Sequence, residues 1–310
     1  MGNPENLSAF IKQEAALLGF DACGIAPAHK LSQHEKYVQE WLRAGYQAEM
    51  HYMGKNLEMR LDPSLLLPGA RSVIVLLKNY HPVRKIDDDA AYRVATYAYG
   101  KRYQDVIGEK LEILKKALLE KNPGTSFRTC VDSAPILEKA WAVNAGLGWI
   151  GKNSLLLNRK GSYHFIAELI TDLPLQYDEP VTQSQCGECR QCIEACPTGA
   201  LTGTMTLNAA KCISYYTIEH KREIPETLRG KFGNWIFGCD ACQLACPWNR
   251  FATPHNEPEF APPPQLLSMK QADWESLATS DFDKIFKNTP LKRTKFEGLK
   301  RNIEFLAKKI

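Results

Sequence analysis

This sequence of 310 residues lacks any apolar segment long enough to cross a membrane. Its longest apolar run, SVIVLL at residues 72–77, is far shorter than the roughly 20 residues that a membrane-spanning helix needs. The first ten residues, MGNPENLSAF, lack the basic segment and the apolar core of a signal peptide. A net charge of +4 is too small to predict a nucleic-acid partner by itself. We therefore expect a cytoplasmic protein, and we take a monomer as its simplest assembly.

Disulfide pairing is not expected either, because the ten cysteines are unevenly distributed. Eight of them lie between residues 186 and 246, which is typical of metal ligands and not of a disulfide framework. Within this stretch, CGECRQCIEACP at residues 186–197 has the spacing C-x2-C-x2-C-x3-C followed by proline. Bacterial ferredoxins hold a 4Fe–4S cluster with this run. Cys23 and Cys130 lie outside it and are expected to be small buried hydrophobic residues.

A second run, CDACQLACP at residues 239–247, lacks one cysteine relative to the first, because Ile236 occupies the expected position. In two-cluster ferredoxins the fourth cysteine of each run ligates the other run's cluster. Structural zinc is the alternative, since C-x2-C pairs also bind zinc. The ferredoxin crossing predicts one 4Fe–4S cluster on Cys186, Cys189, Cys192 and Cys246, and a second on Cys196, Cys212, Cys239 and Cys242.

Helical and strand patterns alternate before the cysteine-rich stretch, which predicts an α/β or α+β domain. The patterns predict helices at residues 7–18, 103–119 and 135–145, strands at 72–77 and 126–132, and a hairpin that pairs 155–157 with 163–170.

Composition divides the chain into three parts. Residues 1–178 form the first domain, and residues 179–252 form the cysteine-rich module. Residues 253–310 begin as a proline-rich connector and end as a basic helical tail.

The segment GLGWIGKN at residues 146–153 is close to a phosphate-binding loop. Its last residue is Asn153 where magnesium binding needs serine or threonine, and a helix precedes it where a strand is required. An ATP site is therefore not expected. Lys152 and Asn153 stay weak candidates for contact with another ligand.

Four further segments accompany the two cysteine runs: EMRLDPSLLLPGARSVIVLL (58–77), YAYGKRYQDVIGEKL (97–111), CVDSAPILEKAWAVNAGLGWIGKNSLLL (130–157) and GSYHFIAELIT (161–171). Together with the cysteine runs they resemble the epoxyqueuosine reductase family. The resemblance implies a fold of class α/β (α+β), in which a nitroreductase-like cobalamin-binding domain precedes a two-cluster ferredoxin-like module and a short helical tail. It implies cobalamin and two 4Fe–4S clusters as cofactors. No D-x-H-x-x-G motif is present, which fits cobalamin bound without a protein imidazole.

The resemblance implies reduction of epoxyqueuosine to queuosine at the wobble position of tRNA. Electrons from an external low-potential donor would pass through the two clusters to cobalamin. The alternatives are a cobalamin-dependent reductive dehalogenase, a plain ferredoxin-type electron carrier, and a tRNA-binding protein whose clusters are structural.

Asp132 matches the proton donor of the family. From the residues alone, an aspartate that caps the following helix, with Pro135 in its first turn, is an equal alternative. Arg60 matches a cobalamin contact, although by itself it has the character of a surface arginine. The cobalamin contacts implied by the resemblance are Arg60, Ala95, Asp132, Leu156, Ile166, Tyr215, Cys239 and Asp240.

Basic residues predict where RNA would bind. His220, Lys221 and Arg222 lie near Cys212 and are expected to meet the anticodon loop. The tail at residues 287–310 has eight Lys or Arg against two Glu, which favours an RNA backbone or a solvated helix face equally. Aromatic and basic residues alternate at 97–103, which predicts either base stacking or a half-exposed strand.

Overall fold

The structure is a computed structural model of the chain, and it describes residues 3–86, 92–203 and 205–308. None of the helices in these ranges has the length and apolar character that crossing a membrane requires. The α-helices are Pro4–Leu17 (α1), Ser32–Arg43 (α2), Leu57–Leu61 (α3), Tyr103–Lys121 (α4), Glu138–Asn144 (α5), Gln191–Glu194 (α6), Ala241–Leu244 (α7), Pro264–Ser268 (α8), Gln271–Glu275 (α9), Thr279–Ile285 (α10) and Lys295–Ala307 (α11). The strands are Ala22–Pro27 (β1), Ser72–Asn79 (β2), Arg93–Val94 (β3), Phe127–Cys130 (β4), Trp149–Ile150 (β5), Leu156–Leu157 (β6), His164–Thr171 (β7), Leu201–Gly203 (β8), Thr206–Leu207 (β9) and Trp235–Phe237 (β10).

The central sheet has the strand order β1-β2-β7-β4. All three pairings are antiparallel, so the first domain is α+β, one of the two classes that the sequence left open. Strand β2 is buried along seven of its eight residues, because helices cover both faces of the sheet. Side chains of a strand point alternately to opposite faces, and this alternation divides β2 between two hydrophobic cores.

The two cores lie on opposite sides of this sheet. On one side, Ile74 and Leu76 of β2 pack against apolar residues of α1 and α4, including Ile11 and Leu111. On the other side, Val73, Val75 and Leu77 pack against α5, whose Trp141 has no exposed surface. Helix α5 therefore lies directly under the sheet, and its first residue, Glu138, reaches the end of β4.

Two predictions about local structure were wrong. Residues 155–157 do not form a hairpin with β7, since β6 pairs with β5 and β7 enters the central sheet between β2 and β4. Helix α5 begins at Glu138 and not at Pro135. The helices expected at residues 7–18 and 103–119 are present as α1 and α4.

A third core joins all three predicted parts of the chain. Strand β3 pairs in parallel with β10, and Val94 and Phe237 from these strands pack with Trp274 and Leu291 of the C-terminal region. A buried carboxylate binds the connector to the first domain. Oε2 of Glu257 forms ion pairs with Nζ of Lys78 at 3.5 Å and with Nζ of Lys110 at 3.1 Å. The cysteine module and the first domain are thus packed together. The domain boundaries 1–178, 179–252 and 253–310 stay a prediction.

The contact between the sheet and α5 can be tested by substitution of Gly24. A Cβ atom at Gly24 would lie 2.1 Å from the backbone oxygen of Ala145, so the Gly24→Ala variant is expected to lose about 2–3 kcal/mol of unfolding free energy. The control is Gly108→Ala in α4, where nothing lies within 4 Å and alanine should add about 0.5–1 kcal/mol. Urea unfolding of both variants under anaerobic conditions measures the difference. Equal stability of the two would contradict the close approach of α5 to β1.

Candidate active site

Four cysteines surround a cavity of about 230 Å³ and form the first cysteine group. They come from the loop before α6, from α6 itself and from the residues that follow α7. Burial, and then the charges of the three other thiols, raise the pKa of Cys192, so the four sulfurs are electrostatic neighbours. The members are Cys186, Cys189, Cys192 and Cys246.

The other four cysteines of the module form the second cysteine group. Burial, and then the charges of Cys239, Cys212 and Cys196, raise the pKa of the Cys242 thiol well above its usual value. The backbone N–H of Ala200 donates to the Cys196 sulfur at 3.2 Å, as protein donors commonly do to cluster ligands. The two groups correspond to the crossed assignment of the sequence, and their role as ligands stays a prediction.

The four thiols of the first cysteine group line one cavity, which offers one sulfur for each iron of a four-iron cluster. In the second group, the charges of three thiols act on Cys242, so these sulfurs are neighbours as well. The residues present therefore fit 4Fe–4S clusters, and structural zinc stays the alternative for the same thiols.

Asp132 lies in the loop between β4 and α5, in a strained backbone conformation. Its φ of 61° is in the left-handed region, which is uncommon for residues other than glycine and is often found at functional sites. Its Oδ2 accepts a hydrogen bond from Nε2 of Gln104 at 2.9 Å, and its backbone N–H donates to Oε1 of Glu138 at 2.8 Å. The N-cap of α5 is Leu137, so the capping alternative for Asp132 is wrong.

Glu138 and Glu168 form a pair of carboxyl groups behind Asp132. Burial raises the pKa of Glu138 to about 7, although the hydrogen bond from Asp132 acts in the opposite direction. Burial and the charge of Glu138 raise the pKa of Glu168 well above its usual value. Glu168 has no exposed surface, and within the described residues neither of its oxygens has a hydrogen-bond partner. We missed both residues in the sequence, although a glutamate inside the apolar strand HFIAELIT is a signal that was available.

Three tyrosines face the acidic groups. Burial, and then the charges of Asp240 and Asp132, raise the pKa of Tyr97, so both carboxyls lie near its half-buried phenol. Tyr103 is stacked on Phe165 at 4.1 Å, and burial followed by the charge of Asp132 raises its pKa as well. Burial, and then the charges of Glu219 and Asp132, raise the pKa of Tyr52, while the charges of Arg293 and Arg60 act in the opposite direction. Residues 97–103 do not form a strand, since they include the end of a 3-10 turn at Thr96–Ala98 and the first residue of α4, and base stacking there stays a prediction.

The implied cobalamin contacts lie in two places and differ in exposure. Arg60 donates from Nη2 to the backbone oxygen of Tyr52 at 3.0 Å, beside Glu138. Asp240 is buried and accepts the backbone N–H of Thr96 at 2.8 Å, while burial raises its pKa to about 6. Ala95, Leu156, Ile166 and Tyr215 are all buried.

Unsatisfied polar atoms show how these residues fit a large polar cofactor. Within the described residues, Nε of Arg60 and Oε1 of Gln104 are buried without a hydrogen-bond partner. Buried polar atoms of this kind need a partner, and the amide side chains around a corrin ring both donate and accept. The residues beside Asp132 therefore fit cobalamin.

The predicted RNA contacts differ in exposure. His220 is 9 % exposed, and its ring contacts Oε2 of Glu49 at 3.1 Å and the backbone oxygen of Glu223 at 3.0 Å. This burial counts against His220 as an RNA contact. Lys221 and Arg222 are exposed, and Arg222 forms an ion pair with Glu49.

Known proteins resemble this chain along almost its whole length. The family model described as "Epoxyqueuosine reductase QueG, DUF1730" matches residues 60–133, and that of a "4Fe-4S double cluster binding domain" matches residues 185–249. The epoxyqueuosine reductase of Cellulophaga algicola is 50 % identical over 99 % of this chain and 100 % of the relative. This chain belongs to the epoxyqueuosine reductase family.

Other members extend the agreement to structure. The enzyme of Pseudomonas aeruginosa is 41 % identical over 97 % of this chain and 85 % of the relative. A crystal structure of epoxyqueuosine reductase with an epoxyqueuosine-modified tRNA-Tyr stem loop has a TM-score of 0.90 and 30 % identity, covering 98 % of this chain and 81 % of that one. A Bacillus subtilis member, solved with its catalytic aspartate loop swung out of the active site, gives a TM-score of 0.90 at 29 % identity, over 98 % of this chain and 82 % of that one.

The resemblance found in the sequence is thereby confirmed, and with it the α+β fold and the assignment to the oxidoreductases. A reductive dehalogenase shares the fold at a TM-score of 0.53 and 19 % identity, over 80 % of this chain and 32 % of that one. That likeness shows a common architecture and nothing about the substrate.

The second cysteine group depends on Cys212, which lies outside both runs. We expect Cys212→Ala to lower the iron content from about eight toward about four atoms per chain, because one four-iron cluster loses a ligand. Iron analysis and the visible spectrum after anaerobic reconstitution measure this loss. Cys23→Ala is the control and should keep all the iron, since Cys23 packs against the first-domain core. Full iron in both variants would show that Cys212 is not a ligand.

The burial of Glu168 predicts a pH-dependent stability. The pKa of Glu168 is raised in the folded chain. Its contribution to the unfolding free energy is therefore complete below its pKa in the unfolded chain, about 4.3, and is lost as pH rises from there toward its pKa in the folded chain. Glu168→Gln should therefore gain stability over the wild type as pH rises, by up to about 1.4 kcal/mol per pH unit. Unfolding at pH 5.5, 7 and 8.5 measures this difference. Glu120→Gln, at an exposed position of α4, should show no such trend, and a pH-independent effect of Glu168→Gln would refute the buried acid.

Proposed function

We propose that this chain reduces epoxyqueuosine to queuosine at the wobble position of tRNA, with two 4Fe–4S clusters and cobalamin as cofactors. The observation that carries the proposal is the position of Asp132. It lies in a strained loop of a chain that is 50 % identical over its whole length to an epoxyqueuosine reductase, and it faces the same phenol as Asp240 of the cysteine module. The clusters would bind to the two cysteine groups, and cobalamin would bind beside Arg60, Gln104 and Asp132.

The reaction requires two electrons and two protons. The epoxide loses its oxygen as water, both carbon–oxygen bonds break, and an alkene remains. The bound clusters and cobalamin would supply the two electrons at low potential. The protein must supply the protons where the oxygen leaves, and an acid in hydrogen-bonding reach of that oxygen is what general acid catalysis requires.

Asp132 would hold the proton that the leaving oxygen receives. Gln104 fixes the carboxyl through a hydrogen bond to Oδ2. Glu138 holds the backbone of Asp132 through its N–H, so the strained conformation is retained while the side chain acts. The half-buried phenols of Tyr97 and Tyr103 limit the access of water to the acid.

Lys221 and Arg222 are proposed to contact the tRNA backbone near the anticodon loop. We also propose a monomer in the cytoplasm that receives electrons from an external low-potential donor. The plain electron carrier is less well supported, because a strained acid and a buried carboxyl pair have no role in simple electron transfer.

The test is conversion of an epoxyqueuosine-modified stem loop by the chain loaded with iron, sulfide and cobalamin, with a low-potential chemical reductant. Mass spectrometry of the digested nucleosides should show queuosine, one oxygen atom lighter than the substrate, and none without cobalamin. Loaded protein that leaves the substrate unchanged, yet releases halide from a haloaromatic compound, would instead support the dehalogenase alternative.

Asp132 and Glu138 have separable roles. Asp132→Asn should lower the single-turnover rate by about a hundredfold or more, because the amide cannot donate a proton as an acid does. Glu138→Leu removes the acceptor of the Asp132 N–H and should lower the rate roughly tenfold to a hundredfold, with KM for tRNA unchanged. Glu138→Gln keeps an acceptor oxygen of the same shape and should retain most of the rate. Equal losses in the two Glu138 variants would show that its charge or proton is required, and not its hydrogen bond.

A further inference from the structure

The loop that begins the first cysteine group lies at the surface, and the proposed chemistry assigns no partner to it. Residues 182–191 are exposed except at their two cysteines, which are partly exposed. Nζ of Lys152 donates to the backbone oxygen of Gly187 at 2.6 Å. Nε1 of Trp248 donates to the backbone oxygen of Gln185 at 3.3 Å. Two other segments therefore hold this loop in place, and a partner in solution can approach its thiols.

The second cysteine group connects the first group to the proposed acid. Asp240 directly follows Cys239 of the second group, and the phenol of Tyr97 lies near both Asp240 and Asp132. The first group shares the segment that carries Cys239 with the second, because Cys246 ends that segment. An electron that enters the chain at the first group would therefore cross to the second group before it reaches the side of the acid.

Exposed apolar side chains follow the first group along the chain. Phe251 is 47 % exposed, and its ring centroid lies 6.0 Å from that of Trp248, which lines the cavity of the first group. Trp248 in turn makes an edge contact with the buried ring of Trp149 at 5.0 Å. Leu244 of α7, in the same segment, is 48 % exposed. Exposed apolar groups that occur together mark interaction surfaces, whereas single ones are ordinary.

The turn at residues 158–161 packs against this segment. The backbone N–H of Ser162 donates to Oδ1 of Asn249 at 2.7 Å. A Cβ atom on Gly161 would lie only 2.5 Å from the same oxygen, so glycine permits the close approach. The tip of the turn is thereby placed beside the segment that carries Phe251.

The charges around Phe251 are mostly positive. Arg159 and Lys160 are exposed at the tip of the turn, and the guanidinium of Arg250 lies 4.5 Å from the centroid of the Phe251 ring. In the part of the chain that the structure describes, none of these three cations forms an ion pair. The three segments around the first group, residues 157–161, 185–194 and 247–253, contain four cations against two carboxylates, namely Arg159, Lys160, Arg190 and Arg250 against Glu188 and Glu194.

We propose that Trp248, Phe251, Arg159, Lys160 and Arg250, together the Phe251 face, form the docking surface of an acidic electron-carrier protein. The proposal rests on the proposed function for the presence of the clusters. Each encounter would oxidise the carrier by one electron and pass that electron to the cluster of the first cysteine group. Two encounters would supply the two electrons that the epoxide requires.

A protein carrier fits the Phe251 face better than RNA does. Transient redox complexes bury little surface, below about 1,200 Å² in total, and complementary charge steers their encounter. An apolar centre with a charged rim is the usual anatomy of a protein interface. RNA could stack on the exposed ring of Phe251, but it has no electron to deliver to the thiols beside it. Competition by RNA is therefore an outcome that the experiment has to include.

The test follows reduction of the clusters by stopped flow, in the full chain loaded with iron and sulfide. The reductant is reduced flavodoxin, a small acidic one-electron carrier. Lys160→Glu should lower its second-order rate constant roughly tenfold at low ionic strength, and the difference should vanish at about 0.5 M salt, because salt screens the steering charge. The methyl viologen radical cation, which needs no docking surface, should reduce Lys160→Glu at least as fast as the wild type.

Two further variants separate local charge from total charge and from apolar contact. Lys116→Glu is the matched control, since it makes the same change of net charge at an exposed position of α4. It should change the flavodoxin rate constant less than about twofold. Phe251→Ser removes the exposed ring without changing the charge. Calorimetry should show that it raises Kd for oxidised flavodoxin roughly fivefold and leaves the salt dependence unchanged.

Each outcome decides for or against the Phe251 face. Equal slowing by Lys160→Glu and Lys116→Glu would reduce the effect to total charge and overturn the site. Unchanged flavodoxin rates in Lys160→Glu would do the same, and Arg250→Glu replaces that variant if it does not retain its iron. An unmodified tRNA stem loop that blocks reduction by flavodoxin, and that binds Lys160→Glu more weakly than Lys116→Glu, would assign the face to RNA. The assay contains neither cobalamin nor modified tRNA, so its failure is distinguishable from a failure to reduce epoxyqueuosine.

Discussion

The crossing of the two cysteine runs constrains the rest of the molecule. Cys246 meets the first run although it ends the second, so residues 186–246 can bring the two groups together only as one folded unit. The segment that enters the second group passes through β10, which pairs with β3 of the first domain. At the end of β10 a Cβ on Gly238 would lie 2.5 Å from the Cβ of Ala95, so glycine permits this approach. Asp240 then accepts the N–H of Thr96, which fastens the cysteine module beside the domain that carries Asp132.

On the other side of that contact, the first domain holds several carboxyl groups close together in a buried region. Burial disfavours their ionised form. Asp132 is held in a conformation that costs free energy, and Glu138 and Glu168 are held with raised pKa values. Strand β7 places Glu168 in the interior, opposite Cys130 of β4. Helices cover both faces of this sheet, and their packing keeps the arrangement stable. Packing therefore stabilises an unfavourable electrostatic site, as is common where proton chemistry takes place.

The sequence predicted those features that depend on spacing along the chain. Cysteine intervals and the periodicity of α1 and α4 are local, so they could be recognised directly. The strands that pair with β7 could not be recognised from the sequence, because an apolar strand does not specify which strand it pairs with. The burial of His220 was missed for a related reason, since residue type alone does not show that Glu49 lies opposite its ring. The positive φ of Lys295 is rare for residues other than glycine, and no signal in the composition indicates it.

The basic tail is packed into the fold. Leu299, Ile303 and Phe305 of α11 are buried, so the helix is not a solvated face that merely carries lysines. Asn302 donates to the backbone oxygens of Thr217 and Ile236, which ties the helix to the segment after Cys212 and to β10. The same helix thus braces the second cysteine group and fixes its own amino end near Arg293 and Glu219. The charges of α11 therefore lie on a rigid element of the fold and not on a flexible tail.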